Sequence, residues 1–145
     1  MNNSDLNINL LVQKAKEIRN AIRDLQIYTS TELEFFMQKM TLIDSTKYKL
    51  LITIEGCISI CYHIVSRVGD RVPESYSDCF EILSKLDVIT QSLAEKLMEM
   101  AKFRNLLIHL YWKVDDKRVY EIATDNLGDI EEFLDQVGEY LKEKE

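Results

Sequence analysis

The stretch LITIEGCISICYHIVSRV, residues 51–68, decides the fold of this 145-residue chain. Its apolar residues return every three or four positions, which is the spacing of one face of an α-helix. They are Leu51, Ile54, Ile58, Cys61, Val65 and Val68. So regular a stripe needs an apolar partner, which predicts a long helix buried against other helices. Gly69 and Asp70, followed by Pro73, predict where this helix ends.

The same spacing recurs on both sides of this stretch. The predicted long helices span residues 11–25, 44–68, 91–112 and 115–141. Thr90 is the expected cap of the third, and PESYSDCFEILSKL, residues 73–86, predicts a short connecting helix. One proline and four glycines suit a mostly helical chain. The sequence therefore predicts an all-α protein: a single domain, 1–145, folded as an antiparallel up-and-down bundle of four long helices plus short connecting helices.

Charge is distributed unevenly along the chain, whose formal net charge is −7. Residues 1–118 carry 16 basic and 16 acidic residues, whereas residues 119–145 carry 2 and 9. Residues 96–118 form a mildly basic zone, with six basic residues against three acidic ones. The acidic last helix is expected to be a solvated face, and the basic zone could accept an anionic ligand.

Membrane, secretion and metal binding find little support in the sequence. No apolar run approaches the roughly 20 residues of a membrane span, and MNNSDLNINLLVQK lacks the features of a secretory signal. We therefore expect a cytoplasmic protein without membrane contact. Cys57, Cys61 and Cys79 are expected to be free core thiols. Cys57, Cys61 and His63 suggest metal-ligand spacing, but His63 lies about 160° around a helix from Cys61. Neither a metal nor a cofactor is predicted.

The segment RNLLIHLYW, residues 104–112, places polar groups in an apolar run. Arg104 occupies a position of the apolar stripe, and Tyr111 lies one heptad further on the same predicted face. Asn105 and His109 are four residues apart and can share a second face. Burying an unpaired guanidinium is costly, so Arg104 either pairs with an acid of a neighbouring helix or lines a wet cleft. Both interpretations remain open at this point.

Two arrangements could bring these four polar residues together. The helix could distort near its C-terminus, or a second subunit could contribute its own copy. The second arrangement suits a helix with apolar residues beside its main stripe, because such a helix needs a further burial partner. These additional residues are Phe103, Leu106, Ile108 and Leu110. They predict a homodimer.

The Arg-x4-His-x-Tyr pattern in FRNLLIHLYW resembles the HEPN superfamily, specifically the HepT-like toxins of prokaryotic toxin–antitoxin pairs. The resemblance extends over residues 58–122, from the helix carrying His63, through the Pro-Glu-Ser-Tyr segment, to the motif helix. It implies a homodimeric helical bundle with metal-independent endoribonuclease activity. Its RNA-cleaving site would be a cleft between the two subunits.

The resemblance also implies roles for single residues. Arg104 and His109 would be the catalytic pair, with Asn105 and Tyr111 supporting them. The partner would be an MNT-type nucleotidyltransferase antitoxin that inactivates the toxin by attaching AMP to Tyr111.

Other assignments stay open. His63 and Arg67, four residues apart, either line the cleft, bind the antitoxin or pack at the core edge. Arg71, Glu74 and Tyr76 receive no role. For the whole chain, the alternative to a ribonuclease is a non-catalytic helical binding module that partners a nucleotidyltransferase. A third alternative is a dimeric scaffold in which the arginine and histidine of the motif are structural.

Overall fold

The computed structural model describes residues 5–144, and over that range it contains seven α-helices and no strand. The helices are α1 (Ile8–Tyr28), α2 (Leu33–Met37), α3 (Met40–Val68), α4 (Tyr76–Lys85), α5 (Gln91–His109), α6 (Asp116–Asp125) and α7 (Leu127–Glu143). Helices α1, α3, α5 and α7 are the long ones, and the short ones connect them, so the predicted all-α bundle is confirmed. The first four residues of the segment tested for a secretory signal lie outside the described residues.

Polar contacts between the helices show their directions. Between α3 and α1, Lys49 pairs with Asp24 at 3.1 Å, and further along α3 the ring of His63 bonds Asn7 at 3.0 Å. Since the residue numbers rise along α3 while those of its partners fall along α1, the two helices are antiparallel. Contacts between α5 and α7 run in the same opposed sense, from the Thr90 end of α5 to the Asp129 end of α7.

Helix α3 is the centre of the bundle because it packs against α1, α2, α4, α5 and α6. Its largest fully buried side chains are Ile43, Leu50, Ile54, Ile60 and Ile64. Burial of one such side chain stabilises the fold by roughly 1.5–3 kcal/mol. The helix is long and apolar enough to cross a membrane, but more than half of its most apolar segment is buried within the protein. That burial is typical of a core helix.

Two helix boundaries differ from the sequence prediction. Helix α3 begins at Met40 rather than Asp44. The hydroxyl of Thr46 donates to the carbonyl of Leu42 at 2.7 Å, so this polar residue is satisfied within the helix instead of capping it. The predicted last helix is two helices, because Asn126 (φ −110°, ψ 2°) ends α6 and precedes α7.

All three cysteines are buried in the core. Burial raises the pKa of the Cys57 thiol to about 12, so it stays protonated at neutral pH and is a poor metal ligand. The thiols of Cys61 and Cys79 contact each other at 2.6 Å across α3 and α4. The cysteines therefore act as packing residues, as the sequence predicted.

Candidate active site

The motif helix α5 ends at His109, three residues before the predicted end. Leu110 leaves helical geometry (φ −133°, ψ 43°), and Tyr111–Lys113 form one 3-10 turn. The buried amine of Lys47 in α3 donates to the carbonyl of Tyr111 at 3.3 Å and so stabilises this break. Because the helix does not continue to Tyr111, the prediction that Arg104 and Tyr111 share a helical face is wrong.

Arg104 is held on three sides. Its Nε and one terminal nitrogen both lie 2.7 Å from the same carboxylate oxygen of Glu55 in α3. Its other terminal nitrogen donates to the side chain of Asn105 at 3.1 Å, and the guanidinium lies 4.7 Å from the ring centroid of Tyr76. The side chain is 14% exposed. Asn105 thus supports Arg104, as predicted from its position.

This arrangement fixes the guanidinium without using all of its donors. A guanidinium has five N–H groups. Three of them are engaged by Glu55 and Asn105, which leaves two terminal N–H groups of Arg104 without a partner among residues 5–144. Two such groups can bind two oxygens of one phosphate. The geometry therefore combines the two interpretations of Arg104, since it pairs with an acid and can still bind an anion.

Tyr76 is positioned by the loop between α3 and α4. Arg71 donates to both carboxylate oxygens of Asp78, at 2.6 and 2.8 Å. That ion pair, together with the backbone N–H of Glu74, lowers the pKa of Asp78 to about 2. Ser75 caps α4 by accepting from the Asp78 N–H at 3.0 Å. The loop is therefore held in one conformation at neutral pH, with Tyr76 over the arginine.

Glu55 and Tyr76 are the residues of this site that the sequence analysis missed. Glu55 carries a signal in the sequence, because it is the only acidic residue between Asp44 and Asp70, within the most apolar helix. A lone carboxylate in such a stretch needs a cationic partner. Tyr76 carries no comparable signal, since its contact depends on the path of the loop.

Tyr111 lies at the other end of the motif and has its own set of partners. Its hydroxyl donates to Asp44 at 2.9 Å, and the Lys47 amine lies 4.4 Å from its ring centroid. Lys47 also pairs with Asp116 at 3.0 Å. Burial, followed by the hydrogen bond to Asp44, raises the pKa of Tyr111 to about 12. The phenol is therefore neutral at physiological pH, yet its side chain is still 37% exposed.

His109 is exposed at the C-terminus of α5, and its ring makes no hydrogen bond within the described part of the chain. Exposed apolar side chains surround it in sequence: Leu106, Ile108, Leu110 and Trp112. Trp112 is 76% exposed, which is unusual for the largest apolar side chain. The expectation that this helix has apolar residues left over for a second partner agrees with these exposures.

A groove of about 350 Å³ opens beside these residues, between the end of α5 and the start of α6. Its floor includes Leu106 and Leu110, and basic side chains of Lys102, Lys113 and Arg118 lie along it. The groove contains three of the six basic residues of the mildly basic zone at 96–118. The positive charge seen in the sequence is thus placed next to the motif.

The four predicted motif residues do not form one cluster within a single chain. Arg104 pairs with Glu55 and Tyr111 with Asp44. These two acids are eleven residues apart on α3, which corresponds to about 16 Å along a helix. The structure therefore brings Arg104 and Asn105 together and places Tyr111 apart from them.

His63 and Arg67 lie elsewhere on α3. The Nε2 atom of His63 accepts the backbone N–H of Asn7 at 3.0 Å, next to the start of α1. Burial, and then the charge of Arg67, lowers the pKa of His63. Arg67 donates to Ser66 at 3.0 Å. These contacts match the core-edge alternative, and the assignment of both residues to a cleft stays a prediction.

Taken together, these features define a class of protein: a helical bundle with a fixed arginine and an exposed histidine near the end of one core helix, as in the HEPN superfamily. The chain belongs to the HepT-like family of this superfamily, since the family model described as Ribonuclease HepT-like matches residues 18–137. The resemblance inferred from the motif is therefore confirmed.

Relatives of known sequence and structure agree with this assignment. The mRNA nuclease HepT of Shewanella oneidensis is 30% identical over 128 residues, covering 88% of this chain and 96% of the relative. A tri-AMPylated Shewanella oneidensis HEPN toxin, solved in complex with its MNT antitoxin, has a TM-score of 0.82 and 29% identity, covering 89% of this chain and 96% of that one. A toxin–antitoxin structure with AMP-PNP has a TM-score of 0.84 and 28% identity, covering 90% and 98%.

Proposed function

We propose that this chain is the toxin of a toxin–antitoxin pair and acts as a metal-independent endoribonuclease. The observation that carries the proposal is the state of Arg104: its guanidinium is fixed by Glu55 and Asn105 but keeps two donors for an anion. An exposed histidine, His109, follows on the same helix. The nuclease names of the HepT-like relatives favour RNA as the anion.

The active form is a homodimer, and the exposed apolar residues of the motif support this. Leu106, Ile108 and Leu110 are each more than a third exposed, and Trp112 is largely exposed. Burying such residues against a second copy removes apolar area from water at about 25 cal/mol per Å². A dimer formed around this end of α5 would also place two copies of Arg104 and His109 at one interface.

The residues fit cleavage of RNA by its own 2′-hydroxyl. In this reaction the 2′-oxygen forms a bond to phosphorus, the bond from phosphorus to the 5′-oxygen breaks, and a proton moves from the first oxygen to the second. Histidine can take or give a proton near neutral pH, so His109 from each subunit supplies one base and one acid. Arg104 stabilises the extra negative charge on the phosphorus centre. None of these steps needs a metal ion.

Tyr111 is the regulatory residue of this proposal. A partner nucleotidyltransferase of the MNT type attaches AMP to its hydroxyl, and each added phosphate brings negative charge into the region that RNA would occupy. The partial exposure of Tyr111 supports such access. The AMPylated state of the similar Shewanella toxin favours the same kind of modification here.

A second candidate function is a non-catalytic binding module for the nucleotidyltransferase. The observations that favour it are the net charge of −7 and the neutralisation of Arg104 by Glu55, both of which weaken attraction to RNA. In this case the exposed apolar residues of the motif serve the protein partner alone.

RNA cleavage by the purified, unmodified protein in EDTA separates these candidates. We expect the wild type to cut RNA and Arg104→Ala and His109→Ala to be at least about a hundredfold slower, which is the usual loss for a phosphate-binding or proton-transferring residue. Arg23→Ala, an exposed substitution on α1, is the control and should cut like the wild type. Uncut RNA with the unmodified wild type would favour the binding module instead.

A further inference from the structure

The hydroxyl of Tyr111 has one hydrogen-bond partner within residues 5–144, the carboxylate of Asp44 at 2.9 Å. The two groups come from distant parts of the chain, 67 residues apart, and are joined only by the packing of α3 beside the motif turn. Both residues are exposed, so a partner protein can reach this pair from solvent.

The other charged groups near Tyr111 do not contact its hydroxyl. Lys47 binds the ring face and the backbone carbonyl, and Asp116 binds Lys47. Lys47 therefore holds the ring in place independently of Asp44. The position of the ring does not require Asp44, which leaves the carboxylate free for a chemical role at the oxygen atom.

Attachment of a nucleotide to this hydroxyl requires removal of its proton. Because the pKa of Tyr111 is raised to about 12, almost none of the phenol is ionised at neutral pH. A phenol is a weak nucleophile until a base removes the proton, and such a base must lie within hydrogen-bond distance. Asp44 meets that requirement before any partner has bound.

We propose that Asp44 is the catalytic base for nucleotidylation of Tyr111, an inference that rests on the regulation proposed above. The phenolic oxygen attacks the α-phosphorus of a nucleoside triphosphate held by the partner enzyme. The new bond joins that oxygen to phosphorus, the bond from the α-phosphorus to the bridging oxygen of the β-phosphate breaks, and pyrophosphate leaves. The phenolic proton passes to the carboxylate of Asp44. The toxin thus supplies part of the machinery for its own inactivation.

The test measures the rate of AMP addition by intact mass, using the full-length toxin, its partner nucleotidyltransferase and MgATP. Asp44→Asn is the decisive variant, because its amide oxygen still accepts the hydrogen bond but does not take the proton. We expect its initial rate to be at least about a hundredfold lower than that of the wild type. Asp44→Ser, which also lacks a base, is measured in parallel and should be equally slow.

The pH dependence distinguishes proton removal from positioning. Without a base, the residual rate of Asp44→Asn should rise about tenfold per pH unit, following the small fraction of ionised phenol. The wild-type rate should change much less between pH 7 and 9, on the order of twofold. A variant that merely misplaced the ring would lower the rate without adding this slope.

Controls separate failure of this inference from failure of the proposed regulation. Asp70→Asn removes another exposed carboxylate and should react like the wild type, and Tyr111→Phe should gain no mass. Wild-type rates in both Asp44 variants would overturn the role of Asp44 and leave the regulation standing. No mass gain in the wild type, or an equal gain in Tyr111→Phe, would overturn both.

Discussion

Replacement of Glu55 tests whether the ion pair beneath Arg104 stabilises the protein and positions the guanidinium. Glu55→Ala removes the acceptor of two N–H groups, whereas Glu55→Gln replaces it by an amide. Both donors of Arg104 lie 2.7 Å from the same carboxylate oxygen. A single amide oxygen can therefore accept both, so glutamine keeps the geometry and loses only the charge.

The expected magnitude follows from the burial of the two partners. A hydrogen bond to a charged group contributes about 1.5–3 kcal/mol when one partner is buried. The Arg104 side chain is 14% exposed, but that of Glu55 is 39% exposed, so water can hydrate part of the freed guanidinium. We therefore expect Glu55→Ala to lower the free energy of unfolding by about 1–2 kcal/mol, or the melting temperature by about 3–8 °C. Glu55→Gln should cost less than about 1 kcal/mol, since charge-assisted bonds become ordinary ones.

Thermal unfolding followed by circular dichroism measures these effects, and RNA cleavage measures the position of Arg104. Glu95→Ala, an exposed substitution on the same helix as Arg104, should change stability by less than about 0.5 kcal/mol. We expect cleavage to be reduced in Glu55→Ala and retained in Glu55→Gln. If Glu55→Ala melts and cuts RNA like the Glu95→Ala control, the pair neither stabilises nor positions, and the reasoning is refuted.

Three further substitutions test other parts of the structure. Because burial lowers the pKa of His63 below its usual 6.5, the folded state holds the neutral ring, and the wild-type melting temperature should fall as the pH drops below about 6.5. A His63→Gln variant with the same pH profile would contradict this. Lys47→Ala should lower the free energy of unfolding by about 2–3 kcal/mol in urea titration, because it unpairs the partly buried Asp116; no change would exclude a structural role for that ion pair. Leu106→Glu should convert the proposed dimer to a monomer in sedimentation experiments, whereas the exposed control Ile27→Glu should not; a dimeric Leu106→Glu would place the interface elsewhere.

The sequence by itself determined the helical class, the order of the long helices and the motif. These depend on neighbours three or four positions apart, whose contacts every helix makes in the same way. The same holds for local stops and caps: the helix ends at Gly69 as predicted, and Thr90 caps α5 by accepting from the Leu93 N–H at 3.2 Å. The family resemblance also came from the sequence, because the motif lies within one continuous segment.

Only the tertiary structure decided which partners the motif residues have. Arg104 meets Glu55 across 49 residues of sequence, and the Tyr111 hydroxyl meets an acid 67 residues away. The end of α5 at His109 belongs to the same group, since the buried Lys47 amine stabilises the break. Such pairs depend on how far one helix is shifted and rotated against the next. The packing of whole side-chain surfaces sets these quantities, and no local pattern along the chain records them.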